Sequence, residues 1–148
     1  IATGAVPFGA NYGIRTATQR KYRYDPGLGK NGTVTLLGEE SVVIDAILKN
    51  DGPGYWLPNA RVKHWVPKER MTEAYIREYF FGLGRTHAKL DGTPPFGWLM
   101  PRWRYRRMIE LWCAHWMARV LRQSDYMRKL SLYFYDMGYR FEKNRFCI

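Results

Sequence analysis

Cysteine is nearly absent: the 148 residues hold two, Cys113 and Cys147. Two thiols so far apart make neither a disulfide framework nor a metal knuckle, a usage that fits a reducing compartment and makes the cytoplasm the expected location. Long apolar runs are missing too. No stretch approaches the roughly eighteen uninterrupted apolar residues that a membrane-spanning helix requires. No internal repeat or low-complexity tract occurs, which excludes a repeat architecture. No charged-then-apolar leader is visible, and the opening "IATGAVPFGANYG" reads as the interior of a longer protein.

Acidic residues are scarce, and unevenly so. Thirteen Asp and Glu face 24 Lys and Arg, a formal net charge of +11. Residues 1–60 are almost balanced, with six basic and five acidic side chains, whereas residues 61–148 carry eighteen against eight. An acidic partner would therefore meet the second part. Nucleic acid, anionic lipid and a phosphorylated substrate satisfy such a field equally well.

The 46% hydrophobic content suits one modest globular domain. Residues 1–35 are glycine-rich and loop-like, with a short helical turn around Thr16–Arg20 and turn chemistry in "YDPGLGKNG". The stretch "LLGEESVVIDAILKNDG", residues 36–52, then places Glu39 and Glu40 behind a glycine and ahead of a helix. Acids in a first turn are favoured by the exposed N–H groups and the macrodipole whatever the protein does. Val43, Ile44, Ile47 and Leu48 form a helical stripe, and Gly52 supplies a left-handed cap. Next come "GYWLP", a predicted strand "ARVKHWV" at 60–66, and a helix from an N-cap at Thr72 to about Leu83. That helix carries Tyr75, Ile76, Tyr79 and Phe80 on one face. The proline-rich residues 91–97 form a break.

Two helices are predicted beyond it, at about 101–122 and 125–137, with Gly138 as the stop. The first is two-faced: Tyr105, Ile109, Trp112, Trp116 and Val120 line one side, and Arg104, Arg107, His115, Arg119 and Arg122 the other. In the second, Tyr126, Leu130, Tyr133 and Met137 align, with Arg128 and Lys129 flanking. Such a tail, preceded by Trp98 and Trp103, suits the headgroup region of an anionic bilayer, and equally suits packing onto the rest of the protein.

The order of motifs carries more than any one of them. "FGANYGIRTATQRKYRYDPGLGKNG", "LGEE" leading a helix, "GYWLPNARVKHWVP" and "KERMTEAYIREYFFGLGRT" follow one another over residues 4 to about 90. This succession resembles the carboxyl-terminal half of family 2 glycosyltransferases of the GT-A fold. The resemblance implies an α/β fold with few strands, in which residues 1–90 are the acceptor and base side of the catalytic domain and residues 98–148 a basic helical tail. It implies transfer of a sugar from a nucleotide-diphosphate donor to a saccharide or lipid-linked acceptor, as in building a cell-envelope polysaccharide. Glu40 takes the place of the general base of inverting members, Glu39 that of an acceptor-positioning acid, and Gly9 and Asn11 lie beside donor sugar or acceptor. His64 matches a histidine that can complete the site of a divalent cation, Mn²⁺ or Mg²⁺, and Arg70 and Arg77 are candidates to face phosphates. A Glu at position 40, where many relatives have Asp, lengthens the reach by one methylene.

The D-x-D tripeptide that supplies the metal's oxygen ligands in that family occurs nowhere in the chain, nor does the βαβ series that binds the nucleotide. The chain alone is accordingly expected to be inactive. Two other classes fit the composition: a basic nucleic-acid-binding module, suggested by a pI near 9.9, and a membrane-surface module without catalysis, peripheral on the inner face of the membrane. The nucleic-acid reading leaves the ordered acidic and glycine motifs unexplained and shows no binding signature, so no specific nucleic acid is expected.

Overall fold

A computed structural model describes residues 9–31, 34–93 and 101–145. Five α-helices dominate it: α1 (Thr16–Lys21), α2 (Glu39–Asn50), α3 (Glu73–Leu90), α4 (Arg102–Val120) and α5 (Tyr126–Asn144), with a 3₁₀ turn at Lys68–Met71. Among the described residues the only strand pairing joins β1 (Gly29–Asn31) to β2 (Val34–Leu36). The expected α/β architecture is thereby overturned: among the described residues the regular structure is helical apart from this short ladder. The predicted strand at 60–66 is irregular backbone, and its side chains face solvent, Val62 54% and Trp65 86% exposed. Alternation marks a segment that could lie on a sheet, but a strand exists only where a neighbour accepts its hydrogen bonds. Most of the break at 91–97, together with Trp98, lies outside the described residues.

The chain divides into two compact units, one comprising Ile1–Gly29 with Gly38–Val66, the other Lys30–Leu37 with Pro67–Ile148. In the first, Gly38 adopts φ +92°, a left-handed conformation open to glycine, and turns the chain into α2. Val43 and Ile44 of α2 are buried, and Gly52 at φ +106° ends the helix as its pattern predicts.

The second unit is organised by the crossing of α3 and α5. Thr72 caps α3 as expected, its hydroxyl accepting from the Tyr75 N–H at 3.2 Å. The helix then continues through Gly82 and Gly84 to Leu90, seven residues beyond its predicted end, and α5 runs through Gly138, the predicted stop. These glycines are not terminators. A Cβ at Gly138 would sit 2.7 Å from the Phe81 carbonyl carbon, and one at Gly84 would sit 2.8 Å from the Tyr139 nitrogen. Each glycine is a point where backbone touches backbone.

The buried face of α3 is accordingly Gly82, Gly84, Arg85, Thr86 and Ala88, while Tyr75, Ile76, Tyr79 and Phe80 remain partly exposed. Arg85 meets Glu142 of α5 at 2.8 Å, with side-chain exposures of only 10% and 7%. Removing one partner of such a pair strands the other's charge, which costs about 3–5 kcal/mol. Thr86 accepts the Leu37 N–H at 2.7 Å and so ties the end of β2 to α3. Beyond the end of α3, Asp91 receives Lys143 at 2.6 Å, the Tyr139 hydroxyl, and the Thr93 N–H and hydroxyl. Burial alone would raise the Asp91 carboxyl, but these hydrogen bonds, led by Lys143, outweigh it and hold the group well below the usual carboxylate range.

Helix α4 packs on α5 by its polar side. Arg107 pairs with Asp136 at 2.7 Å, the Arg104 guanidinium lies 4.0 Å from the centroid of the Tyr139 ring, and His115 is buried with Nδ1 3.2 Å from the Tyr126 carbonyl. Arg119 reaches back to Glu73 of α3 at 3.2 Å. The stripe of Tyr105, Ile109, Trp112, Trp116 and Val120 faces outward.

Candidate functional site

The first unit brings the motif residues together around the start of α2. Glu39 and Glu40 occupy its first turn, where free N–H groups and the helix macrodipole favour carboxylate charge. Each acid lies against a glycine that precedes the helix, Glu40 against one 31 residues back and Glu39 against one 10 residues back. A Cβ on Gly9 would lie 2.8 Å from Glu40 Oε1, and one on Gly29, at φ +88°, would lie 3.3 Å from Glu39 Oε1. The loop "GAN" and the turn "DPGLG" therefore approach the acid pair closely only because neither position carries a side chain. The turn is held locally, Asp25 Oδ1 accepting the Gly27 N–H at 2.7 Å.

Asn11 is anchored by donating its side-chain amide to the Ala60 carbonyl at 3.1 Å. Beside it, the Tyr12 hydroxyl meets that of Tyr24 at 2.7 Å. Burial, the hydrogen bond to Tyr24, and the charges of Tyr24, Glu40 and Glu39 together push the Tyr12 hydroxyl up, so it stays protonated at neutral pH. The constellation is thus two half-buried carboxylates, a pair of hydrogen-bonded phenols and an anchored amide. A carboxylate so placed can accept a proton, with hydrogen-bonding groups around it. Tyr12, Tyr24 and Gly29 were not singled out from sequence; the adjacency of Tyr12 to Asn11 was the available signal for the first.

The remaining predicted site residues are placed elsewhere. Arg77, in the second unit, donates to Glu73 at 3.1 Å and stacks 5.5 Å from the Phe134 ring centroid, so its guanidinium is engaged within the helical unit. Arg70 sits in the 3₁₀ turn, 5.8 Å from the Tyr75 ring centroid. His64 lies in the exposed irregular segment. Among the described residues no three His, Cys, Asp or Glu side chains gather as metal ligands. His64 offers one ligand where a divalent-ion centre needs several, so the residues described do not fit such a centre and no chemical step is derived through one. Among these residues, too, no helix is long and apolar enough to cross a membrane.

Comparison with protein-family models, with curated proteins and with solved structures yields no match.

Replacing Gly9 with Ala tests the contact at Glu40. The new methyl group meets the far end of a flexible side chain, so the carboxylate moves while the fold stays. Any turnover that depends on Glu40 is expected to fall by up to roughly 100-fold, the cost of displacing such a group by on the order of 1 Å. The melting temperature should hardly change. Unchanged turnover in Gly9→Ala, measured alongside thermal unfolding, would mean that this contact does not position Glu40.

Proposed function

We propose that these residues form the acceptor and base side of a glycosyltransferase, with Glu40 as general base and inversion at the transferred carbon. The observation that carries this reading is the juxtaposition at α2, where the acid pair of "LGEE" lies against Gly9 of the "GAN" loop and Gly29 at the end of the "DPGLG" turn. Motifs 31 and 10 residues apart in sequence meet in one place, as a shared role requires. The resemblance to family 2 glycosyltransferases supports the same assignment.

The chemistry is an in-line displacement. The acceptor oxygen forms a bond to the anomeric carbon as the bond from that carbon to the diphosphate oxygen breaks, the electron pair leaving with the nucleoside diphosphate. The acceptor proton passes to a Glu40 carboxylate oxygen. Glu39, one position earlier, orients the acceptor, and the protonated Tyr12 offers a neutral hydrogen-bonding group next to both acids. A saccharide or a lipid-linked sugar supplies the hydroxyl.

A donor panel tests the proposal. The natural polypeptide that carries these residues is incubated with nucleotide-diphosphate sugars and hydroxyl acceptors, and nucleoside diphosphate release is followed with product mass and anomeric configuration. Acceptor-dependent release with an inverted product is expected for at least one donor. A folded protein that releases nucleoside diphosphate from none of them contradicts the reading, and a product of retained configuration contradicts the role of Glu40.

A further inference from the structure

The inner side of helix α4 buries Ala118 and His115 and engages three arginines, through Arg107–Asp136, Arg104 on Tyr139 and Arg119–Glu73. Its apolar side faces outward: Ile109 is 63% exposed, Trp116 50% and Val120 70%, with Trp112, Met117 and Leu121 beside them. A contiguous exposed patch of this kind, containing two tryptophans, marks a binding surface more often than it marks chance.

The charges around the patch identify its occupant. Arg102 and Arg106 lie at the start of α4 and Arg122 just past its end, so cations bracket the apolar stripe along the helix. The single acid on α4, Glu110, is neutralised by Arg106 at 2.8 Å. Along the seam with α5 runs a groove of about 270 Å³ lined by Tyr105, Met108, Ile109, Trp112, Tyr133 and Arg140. The Arg140 guanidinium lies 4.8 Å from the Tyr105 ring centroid and has no carboxylate partner among the described residues. An apolar groove with an unneutralised guanidinium suits an amphiphile with an anionic head. A second copy of this chain would bring the same positive charge and oppose it.

We infer that the outward face of α4 is a docking surface for an anionic lipid bilayer, the tryptophans and aliphatic side chains entering the headgroup region and Arg140 taking a lipid phosphate. Tryptophan favours that depth, and each engaged arginine multiplies partitioning roughly fivefold. The inference stands on α4 and α5 alone and does not depend on the transferase reading.

Co-sedimentation with phosphatidylcholine vesicles, with and without phosphatidylglycerol, at low and high salt, tests it. The wild-type chain is expected to pellet with anionic vesicles at low salt and to be released by high salt. Ile109→Glu/Val120→Glu changes two largely exposed positions, so its circular dichroism should match wild type while anionic-vesicle binding falls at least roughly tenfold. Arg140→Gln should weaken binding roughly fivefold. Recovery in the supernatant under all four conditions overturns the inference, as does equal binding to neutral vesicles or unchanged binding by the double variant. A dimeric mass by light scattering that the double variant abolishes also overturns it, because the occupant is then a second copy.

Discussion

Gly138→Ala is expected to lower the stability of the second unit by about 3 kcal/mol or more, at the upper end of what overpacking costs. The methyl group has no flexible neighbour to displace. It meets the carbonyl carbon of Phe81 at 2.7 Å and its Cα at 2.9 Å, backbone atoms of a helix that can yield only by moving as a whole. Moving α3 away from α5 would also loosen the buried Arg85–Glu142 pair and the Phe81–Phe141 contact, whose ring centroids are 5.6 Å apart. For a domain of this size such a loss corresponds to a drop in Tm of roughly 10 °C. Gly84→Ala, which meets Tyr135 and Tyr139 at the same crossing, should behave alike, and the two changes should not be additive. Gly13→Ala is the control, since a Cβ there meets nothing within 4 Å. Thermal unfolding by circular dichroism reads all three; a Gly138→Ala protein that melts with wild type would mean that the two helices do not touch at this point.

The reach of the sequence differs from element to element. The spans of α2 and α4 and the start of α5 are legible because apolar residues recur at helical spacing, and the start of α3 because Thr72 precedes it as a cap. The expected ends of α3 at about Leu83 and of α5 at Gly138 do not hold, since both helices run on through glycine. Glycine both terminates helices and admits a second helix, and only the partner, 54 residues away, distinguishes the two. The expected strand at 60–66 failed for a similar reason: pairing is non-local, and alternation does not supply a neighbour. In α4 the periodicity separated two faces correctly but could not show which one turns inward. The ion pairs with Asp136 and Glu73 decide that, and neither acid adjoins α4 in sequence. At the candidate site, Glu39, Glu40, Gly9 and Asn11 were named from motifs, whereas Gly29 and Tyr12 became visible through contacts across the first unit.

Replacing Glu40 with Gln tests its proposed role as general base. Glutamine keeps the shape and the fit against Gly9 but cannot accept the acceptor's proton, so the loss should fall on the chemical step rather than on binding. Glu40→Asp retains a carboxylate one methylene shorter and should recover part of the rate. The decisive measurement is steady-state turnover of the natural polypeptide carrying these residues, with a nucleotide-sugar donor and hydroxyl acceptor, for wild type, Glu40→Gln and Glu40→Asp. A general base at Glu40 gives a kcat lower by roughly 100-fold or more in Glu40→Gln, a donor KM within about twofold of wild type, and an intermediate kcat in Glu40→Asp. Turnover by Glu40→Gln at the wild-type rate would contradict it.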